Sequence, residues 1–372
     1  MKIAFVLPGR GSSGGVRCIS LIGKKLLERG HLVRLLYRKP TRTLRDWGRL
    51  IQGRIIYHAA PNWIQQFKGP VVGFQDLSRF PFDPDEILVA VGMAECAQLG
   101  LLSSVPNPKV QYLHGSTPLA PRQVDKALSL PLPKIVVASY LRDLVESHGR
   151  GEDVFAVIHN GIDAGDYFCS VPESQRDGVG TIYASDPVKD PETILRVVDR
   201  LSRVRPQVPI RVFSTDRRPK WIESRSYWRY PTLERAREIY SRSLVWIVAS
   251  RSEGFSFPVL EAMACGCAVV ATDCGGPKDI ITDGSNGFLV PVGDVDAIAN
   301  RVELLLDDAA MRNQVRLSAQ KTVTQFTWDK CITELERALY LVAGASRYNA
   351  VNPKPTTITT GVHSSSTQGR IV

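Results

Sequence analysis

The chain has 372 residues, 44% hydrophobic and 23% charged, with a net charge of +10. That is enough chain for two domains with sizeable cores, and too apolar for disorder to dominate. No apolar run reaches the ~20 residues that span a bilayer, since "ILVAVGMAECAQLGLL" is interrupted by Glu95 and Gln98, and an integral membrane protein is not expected.

The opening "MKIAFVLPGR" has a positive residue and a short apolar run, but Pro8 and a glycine loop follow where a signal peptide would continue. It reads as a first strand over 2–7. The loop behind it, "GRGSSGGVR", spaces Gly9, Gly11 and Gly14 as G-x-G-x-x-G, a pattern that lets backbone approach a ligand but is weak evidence alone. A helix near 15–29 and the strand "HLVRLLY" complete a β-α-β opening. Residues 17–54 carry eleven Lys/Arg and two acids around Trp47. A solvated basic face is the commoner outcome of such a run. Its functional reading is contact with an anionic membrane, a phosphorylated lipid or nucleic acid.

The β-rich runs "GPVVGF", "EILVAVG", "KVQYLHG" and "KIVVAS" alternate with loop or helical material, as in a parallel sheet covered by helices. After "DVFAVIHNGID" the pattern restarts with "TIYAS", "DPETILRVVDRLSRV", "IRVFS", "LERAREIYSRS" and "VWIVAS", a second α/β unit. Residues 294–326 are helical by periodicity, and Thr327 suits the N-cap of a closing helix. From Ser346 the sequence fills with Ser, Thr, Pro and Gly and reads as a disordered tail. The seven cysteines form no C-x-x-C pair and no zinc spacing, which points to reduced cytosolic thiols. Two α/β units leave a cleft between them, where open sheets bind ligands at the carboxyl ends of their strands.

The most informative stretch is "SRSEGFSFPVLEAMACGCAVVATDCGG". Glu253 stands in a glycine loop after a buried strand, and Glu261 lies eight positions on, in the helix that begins around Pro258. Pro suits a first helical turn, and the amides from Gly254 to Phe257 become anion donors. Two carboxylates for hydroxyl-rich groups beside backbone donors for phosphates fit a sugar nucleotide. Either glutamate alone would read as a loop or helix-face acid without a ligand.

This stretch resembles the E-x7-E signature of retaining GT-B glycosyltransferases of family four. The resemblance extends through "GGVRCISLIGKKLLERGHLV", "HNGID" and "FTWDKCITELERALY", to about residue 345. It implies two Rossmann-like domains facing a cleft: residues 1–160 on the acceptor side, residues 161–326 binding the nucleotide sugar, and a helix over 327–345 crossing back, with 346–372 as the tail. It implies that Glu261 accepts from the donor ribose and Glu253 holds sugar hydroxyls near the reacting carbon. By the same resemblance the amides of Gly254, Phe255, Ser256 and Phe257 contact sugar or diphosphate, Gly14 and Gly15 approach the diphosphate, and His114 lies near the donor sugar. Where the family has a Gly-Arg pair followed by Lys, this chain reads "YASDPVKDPET". Lys189 is retained as a phosphate ligand, whereas Ala184 and Ser185 occupy the Gly-Arg position. Arg217 and Arg218 are candidates to supply the missing cation, against a solvated loop pair.

The expected function is retaining transfer of a glycosyl group from a nucleotide-diphospho-sugar to a glycan, lipid-linked or small-molecule acceptor in polysaccharide or glycoconjugate synthesis, with Glu253, His114 and Lys189 in catalytic roles. Retaining hydrolases use two carboxylates, one as nucleophile; the resemblance implies same-face attack assisted by the departing phosphate. No cofactor beyond the donor substrate is expected, and no metal. The D-x-D pairs Asp83/Asp85 and Asp294/Asp296 read as a strand's amino edge and a helix start. His159, Asn160, Gly161 and Asp163 read as a hinge, and Tyr230 and Thr215 as strand-end residues. A cytoplasmic location is expected, with membrane contact at the inner face through 17–54 and no nucleic-acid partner. Two alternatives stand: a noncatalytic nucleotide-sugar binder, and an NAD(P)-dependent oxidoreductase, which "LLYRKPTR" disfavours by placing cations where a ribose-binding acid belongs.

Overall fold

In a computed structural model, residues 1–9, 14–39, 64, 67–102, 105–115, 121–220 and 222–344 are described. They form two parallel sheets, each covered by helices. The first sheet contains β1 (Lys2–Leu7), β2 (Leu32–Arg38), β3 (Val71–Phe74), β4 (Glu86–Ala90), β5 (Lys109–Leu113), β6 (Lys134–Val136) and β7 (Val154–Val157), in the order β3-β2-β1-β4-β5-β6-β7. Its helices are α1 (Gly14–Glu28), α2 (Met93–Leu99), α3 (Pro121–Leu128) and α4 (Ser139–Ser147). The near-continuous apolar runs of β1 and β4 fit strands covered on both faces, and Ile3 to Leu7 are wholly buried.

The second sheet contains β8 (Val179–Ile182), β9 (Ile210–Ser214), β10 (Tyr227–Arg229), β11 (Val245–Val248), β12 (Ala268–Thr272) and β13 (Phe288–Val290), in the order β10-β9-β8-β11-β12-β13. It is flanked by α5 (Pro191–Val204), α6 (Leu233–Arg242), α7 (Phe257–Ala264), α8 (Val295–Asp307) and α9 (Ala309–Val323). Trp246 of β11 is fully buried against Tyr240, with ring centroids 4.1 Å apart. Gly180 of β8 makes room for it, because a Cβ there would stand 2.1 Å from the indole.

The helical stretch read over 294–326 is two helices. Asp308 leaves the helical region at φ −100° and ψ 92°, donates its N–H to Leu304 and accepts from Met311 N–H, so one residue ends α8 and caps α9. Asp294 caps α8 through Ala297 N–H, as the sequence suggested. The last described helix, α10 (Trp328–Val342), is capped by Thr327 and returns to the first domain, where Arg29 bonds Asp329 and Glu336 and His31 bonds Glu336 at 2.8 Å. Gly161, at the crossing between the domains, admits no side chain: a Cβ would lie 2.2 Å from Trp328 N. No helix among the described residues is long and apolar enough to cross a membrane. The tail from 346 lies outside the described residues.

Candidate active site

In the second sheet the strand order reverses between β8 and β11, and open parallel sheets take ligands outside the carboxyl ends of their strands at such a point. Lys189 follows β8 and Glu253 follows β11, so the topology makes them neighbours despite 64 residues of separation. Lys189 Nζ donates to Glu253 Oε1 at 2.6 Å, and Ser250 Oγ donates to the same oxygen at 2.6 Å. Glu253 is buried and Lys189 half-buried. The lysine is set by its flanks. Asp186 caps the 187–189 turn through Val188 N–H, and Asp190, left-handed at φ 47°, caps α5 and pairs with Arg251 at 3.1 Å.

The glycine loop after β11 is fastened on both sides. Glu253 N–H donates to the Cys274 carbonyl at 3.2 Å, and Gly276 N–H donates to the Glu253 carbonyl at 2.9 Å. A Cβ on Gly254 would stand 1.8 Å from the His114 carbonyl oxygen of the first domain. Ser256 caps α7 in the left-handed region at φ 80°, with its buried hydroxyl unbonded among the described residues. Strained backbone of this kind concentrates at functional sites. The amides of Gly254, Phe255, Ser256 and Phe257 donate to no described backbone carbonyl. Pro258 occupies the first turn of α7, as its sequence position suggested.

Glu261, in the second turn of α7, belongs to a buried polar cluster that spans the two domains. Arg17 of α1 donates from Nη1 to Glu261 Oε1 at 2.7 Å and from Nη2 to the Tyr167 hydroxyl at 3.0 Å. Tyr240 donates its hydroxyl to Glu261 Oε2 at 2.9 Å. The guanidinium lies 5.8 Å from the Tyr167 ring and 5.6 Å from the Phe257 ring. Desolvation opposes the Arg17 charge, yet Glu261 and Tyr167 beside it hold its pKa above the usual value. Burial, with Glu261 adjacent, pushes the Tyr240 hydroxyl well above its ordinary value, so Tyr240 is a hydrogen-bond donor at all working pH values. Sequence reasoning missed Arg17, Tyr167 and Tyr240. A basic residue in the first turn of the helix behind Gly14 and Gly15 was the one visible signal.

His114 follows β5, with its ring edge-on to Tyr112 at 4.3 Å. Burial holds its pKa down to about 3, and its Nε2 is unbonded among the described residues. The ring is therefore neutral near pH 7 and suits hydrogen bonding to a hydroxyl better than proton abstraction. Gly14 is exposed and Gly15 half-buried at the start of α1, and a Cβ on either would meet nothing within 4 Å among the described residues. Residues 10–13, including Gly11, lie outside the described residues.

Ser185 is exposed and donates its N–H to Asp216 Oδ2 at 2.5 Å, which ties the loop after β8 to the loop after β9. Of the two arginine candidates, Arg218 is spent on the Ile222 carbonyl and Arg217 is exposed. His159 bonds Asp279 at 2.7 Å and stacks on Phe255 with centroids 5.7 Å apart. The same Asp279 oxygen accepts from Ser139 N–H at 2.7 Å, so a second-domain carboxylate caps α4 of the first domain. Asn160 accepts from Cys18, Asp163 accepts from Gly165 N–H, and Thr215 accepts from Arg229 through its carbonyl. Tyr230, left-handed at φ 50°, lies under the Arg229 guanidinium. Asp83 pairs with Lys2 at 2.8 Å at the amino edge of the first sheet, away from the cleft. Within the basic stretch, Arg17, Arg29 and Arg34 pair with Glu261, Glu336 and Glu86, while residues 40–54, including Trp47, lie outside the described residues.

Comparison with known proteins agrees with this architecture. Residues 226–322 match the family model described as "Glycosyl transferases group 1". N-acetyl-alpha-D-glucosaminyl L-malate synthase of Bacillus anthracis is 32% identical over 104 residues, 28% of this chain and 27% of that protein. A D-inositol 3-phosphate glycosyltransferase of Stackebrandtia nassauensis is 26% identical over 187 residues, 45% of this chain and 42% of its own. The chain spans about a quarter of the length of the first curated relatives it matches. The fold extends further. HepE from Anabaena, solved with UDP, superposes with a TM-score of 0.69 at 17% identity, covering 92% of this chain and all of HepE. Sucrose-phosphate synthase from Thermosynechococcus elongatus superposes with a TM-score of 0.67 at 14% identity, covering 93% of this chain and all of the other. The GT-B fold and the group 1 resemblance read from the sequence are both borne out.

Proposed function

We propose that this chain, a GT-B fold whose second domain carries the group 1 glycosyl transferase segment, moves a glycosyl group from a nucleotide-diphospho-sugar to a hydroxyl acceptor with retention of anomeric configuration. The observation that carries the reading is the meeting of Lys189 and Glu253 at the switch point of the second sheet. A cation beside a buried carboxylate can serve both ends of such a donor. Glu253 accepts from sugar hydroxyls, and Lys189 offsets the charge that develops on the leaving diphosphate. Glu261 accepts from a ribose hydroxyl. The amides of Gly254 to Phe257, the Ser185 hydroxyl and the loop at Gly14 and Gly15 contribute donors along the diphosphate.

Retention follows from attack on the face from which the diphosphate leaves, with a phosphate oxygen taking the acceptor proton. Glu253 is already committed to Lys189 and Ser250, which favours a binding carboxylate over a covalent nucleophile. His114, neutral and buried at the joint of the two domains, would donate to or accept from a sugar hydroxyl. Positioning and fixed electrostatics then supply most of the acceleration. The names of two relatives point to small, hydroxylated, anionic acceptors, L-malate and D-inositol 3-phosphate, and this class joins glycans and lipid-linked glycans as a candidate. The site needs no metal in this reading, and the chain works in the cytoplasm or at the inner face of a membrane.

The test is a thermal-shift panel of UDP, GDP, ADP, TDP and NAD(P), followed by hydrolysis and transfer assays with the sugar nucleotides of the best binder. Stabilisation by a nucleoside diphosphate with turnover of its sugar form is expected. Stabilisation by NAD(P) alone would overturn the reading, and binding without any turnover would leave a noncatalytic nucleotide-sugar binder.

A further inference from the structure

We propose that Arg17 is a positioning residue that holds the Glu261 carboxylate, from the opposite domain, for a ribose hydroxyl, so that ribose recognition is completed only when the two domains are closed. The proposal rests on the reading of Glu261 as the ribose acceptor, and adds to it a residue that no part of the E-x7-E segment contains.

The geometry is that of a carboxylate held in one orientation by donors from both domains. An ionised carboxylate offers about four acceptor positions on its two oxygens. Arg17 takes one on Oε1 at 2.7 Å and Tyr240 takes one on Oε2 at 2.9 Å. The Tyr167 hydroxyl, which accepts from Arg17, bonds the carboxylate as well, so three protein donors hold Glu261 and about one position remains for a ribose hydroxyl. Arg17 and Tyr240 also fix the rotation of the carboxylate, since each approaches a different oxygen. Arg17 is itself fixed. Its other terminal nitrogen bonds Tyr167 at 3.0 Å, and its guanidinium lies against the rings of Tyr167 and Phe257.

Burial makes this pairing consequential. The side chains of Glu261 and Arg17 are 7% and 20% exposed, so neither charge is supported by bulk water. A buried charge stripped of its partner is strongly disfavoured. Glu261 without Arg17 would therefore turn away towards other donors, and would lose its aim at the ribose. A lysine could supply the charge. Its donors would all sit on one nitrogen, whereas Arg17 reaches Glu261 and Tyr167 from two separate nitrogens in a fixed plane, so the aim of the carboxylate would be only partly restored.

Simple fastening of the domains does not account for the pair. The closing helix α10 is already tied to the first domain by Arg29 and His31 through Glu336, and the domain faces are joined separately by Asp279 with Ser139. Arg17 is the interdomain contact that ends on a carboxylate of the proposed donor site.

The test compares binding of UDP and 2′-deoxy-UDP, or of GDP and 2′-deoxy-GDP, whichever pair the wild-type protein prefers, by calorimetry on wild type, Arg17→Met and Arg17→Lys. Wild type should prefer the ribonucleotide. Arg17→Met should weaken ribonucleotide binding by about 10- to 100-fold, the range for a lost hydrogen bond to a charged group, and the deoxynucleotide far less, so that the preference collapses. Arg17→Lys should recover part of the affinity and little of the preference. If Arg17→Met does not fold, Arg17→Lys and Tyr240→Phe carry the test, because each retains the bulk of the side chain while altering one bond to Glu261. An unchanged preference, or equal loss for both nucleotides, would overturn the proposal and leave Arg17 a structural ion pair. A wild-type protein that binds no nucleoside diphosphate would instead overturn the donor reading beneath it.

Discussion

Replacing Gly254 by alanine tests whether the closed arrangement of the two domains is the working one. A Cβ on Gly254 would lie 1.8 Å from the His114 carbonyl oxygen and 2.7 Å from its carbon. Carbon and oxygen meet without strain near ~3.3 Å, so the contact is short by about 1.5 Å. The obstructing atoms are backbone, and no side-chain rotation relieves them. The loop bearing His114 must move off the loop bearing Glu253, at a cost of about 1–3 kcal/mol typical of overpacking. A displacement of 1 Å or more between groups that position a substrate costs about 10²-fold in rate. The Lys189–Glu253 pair lies entirely in the second domain and is left intact. We therefore expect Gly254→Ala to lower turnover of the sugar nucleotide by about 10²-fold. With the His114 loop displaced alone and Arg17 kept on Glu261, nucleoside-diphosphate affinity should change by roughly threefold at most, under ~0.7 kcal/mol, whereas a larger loss would mean that the whole cleft has opened. Initial rates, calorimetry and a urea melt measure the three quantities. Wild-type turnover in Gly254→Ala would show that the His114–Gly254 contact is absent from the active form, and the closed-cleft account would fall.

Gly15→Ala makes the opposite comparison: with nothing within 4 Å of its Cβ the fold should be unaffected, and a loss of nucleotide affinity at unchanged stability would mark the loop as a diphosphate contact. His114 predicts a pH dependence, because burial holds its pKa to about 3 against ~6.5 when unfolded. The unfolded chain binds a proton that the folded chain refuses, so stability is fully present above ~6.5 and falls by about 1.4 kcal/mol per pH unit below it. Urea melts at pH 7 and pH 5 should show His114→Asn losing about 2 kcal/mol less than wild type over that interval; identical losses would refute the burial argument. Arg176, wholly buried, donates to the carbonyls of Ser243 at 2.9 Å and Gly266 at 2.5 Å, and Arg176→Met should destabilise by about 2–4 kcal/mol through two orphaned acceptors.

The strands were legible because their apolar runs are dense and punctuated. β4, β11 and β12 are buried along their length and β1 from Ile3 onward, so nothing in tertiary packing competed with their local pattern. The break at Asp308 was not legible from periodicity, since the residues on either side keep a helical spacing and the break consists of one residue's dihedral angles. Glu253 and the 254–257 loop could be singled out because they share one contiguous motif, and Lys189 because it stands in a short motif of its own 64 residues away. Arg17 could not. Its partner is 244 residues away, and along the chain it is one cation among eleven between 17 and 54. The sequence reading offered that stretch to an anionic surface, yet Arg17, Arg29 and Arg34 each find a carboxylate inside the protein. A charge run shows no sign of which of its members will be buried.

The pairing of both glutamates has an electrostatic reason that joins the two halves of the site. A diphosphate with two negative charges brought within about 7 Å of an unpaired carboxylate meets a repulsion of about 5 kcal/mol at an effective dielectric constant of 20, and two such carboxylates would double it. In the proposed donor site Glu253 serves the sugar and Glu261 the ribose, and each is matched by one cation, Lys189 and Arg17. The four groups together carry no net charge, so the carboxylates can serve hydroxyls without opposing the phosphates between them. The two matches differ in origin. Lys189 comes from the same domain as its acid, whereas Arg17 is supplied by the other. The end of the site built on Glu253 is therefore organised in the second domain alone, and the end built on Glu261 is organised only when the cleft has closed. A donor that engages both acids would thus favour the closed arrangement, in which His114 meets the glycine loop.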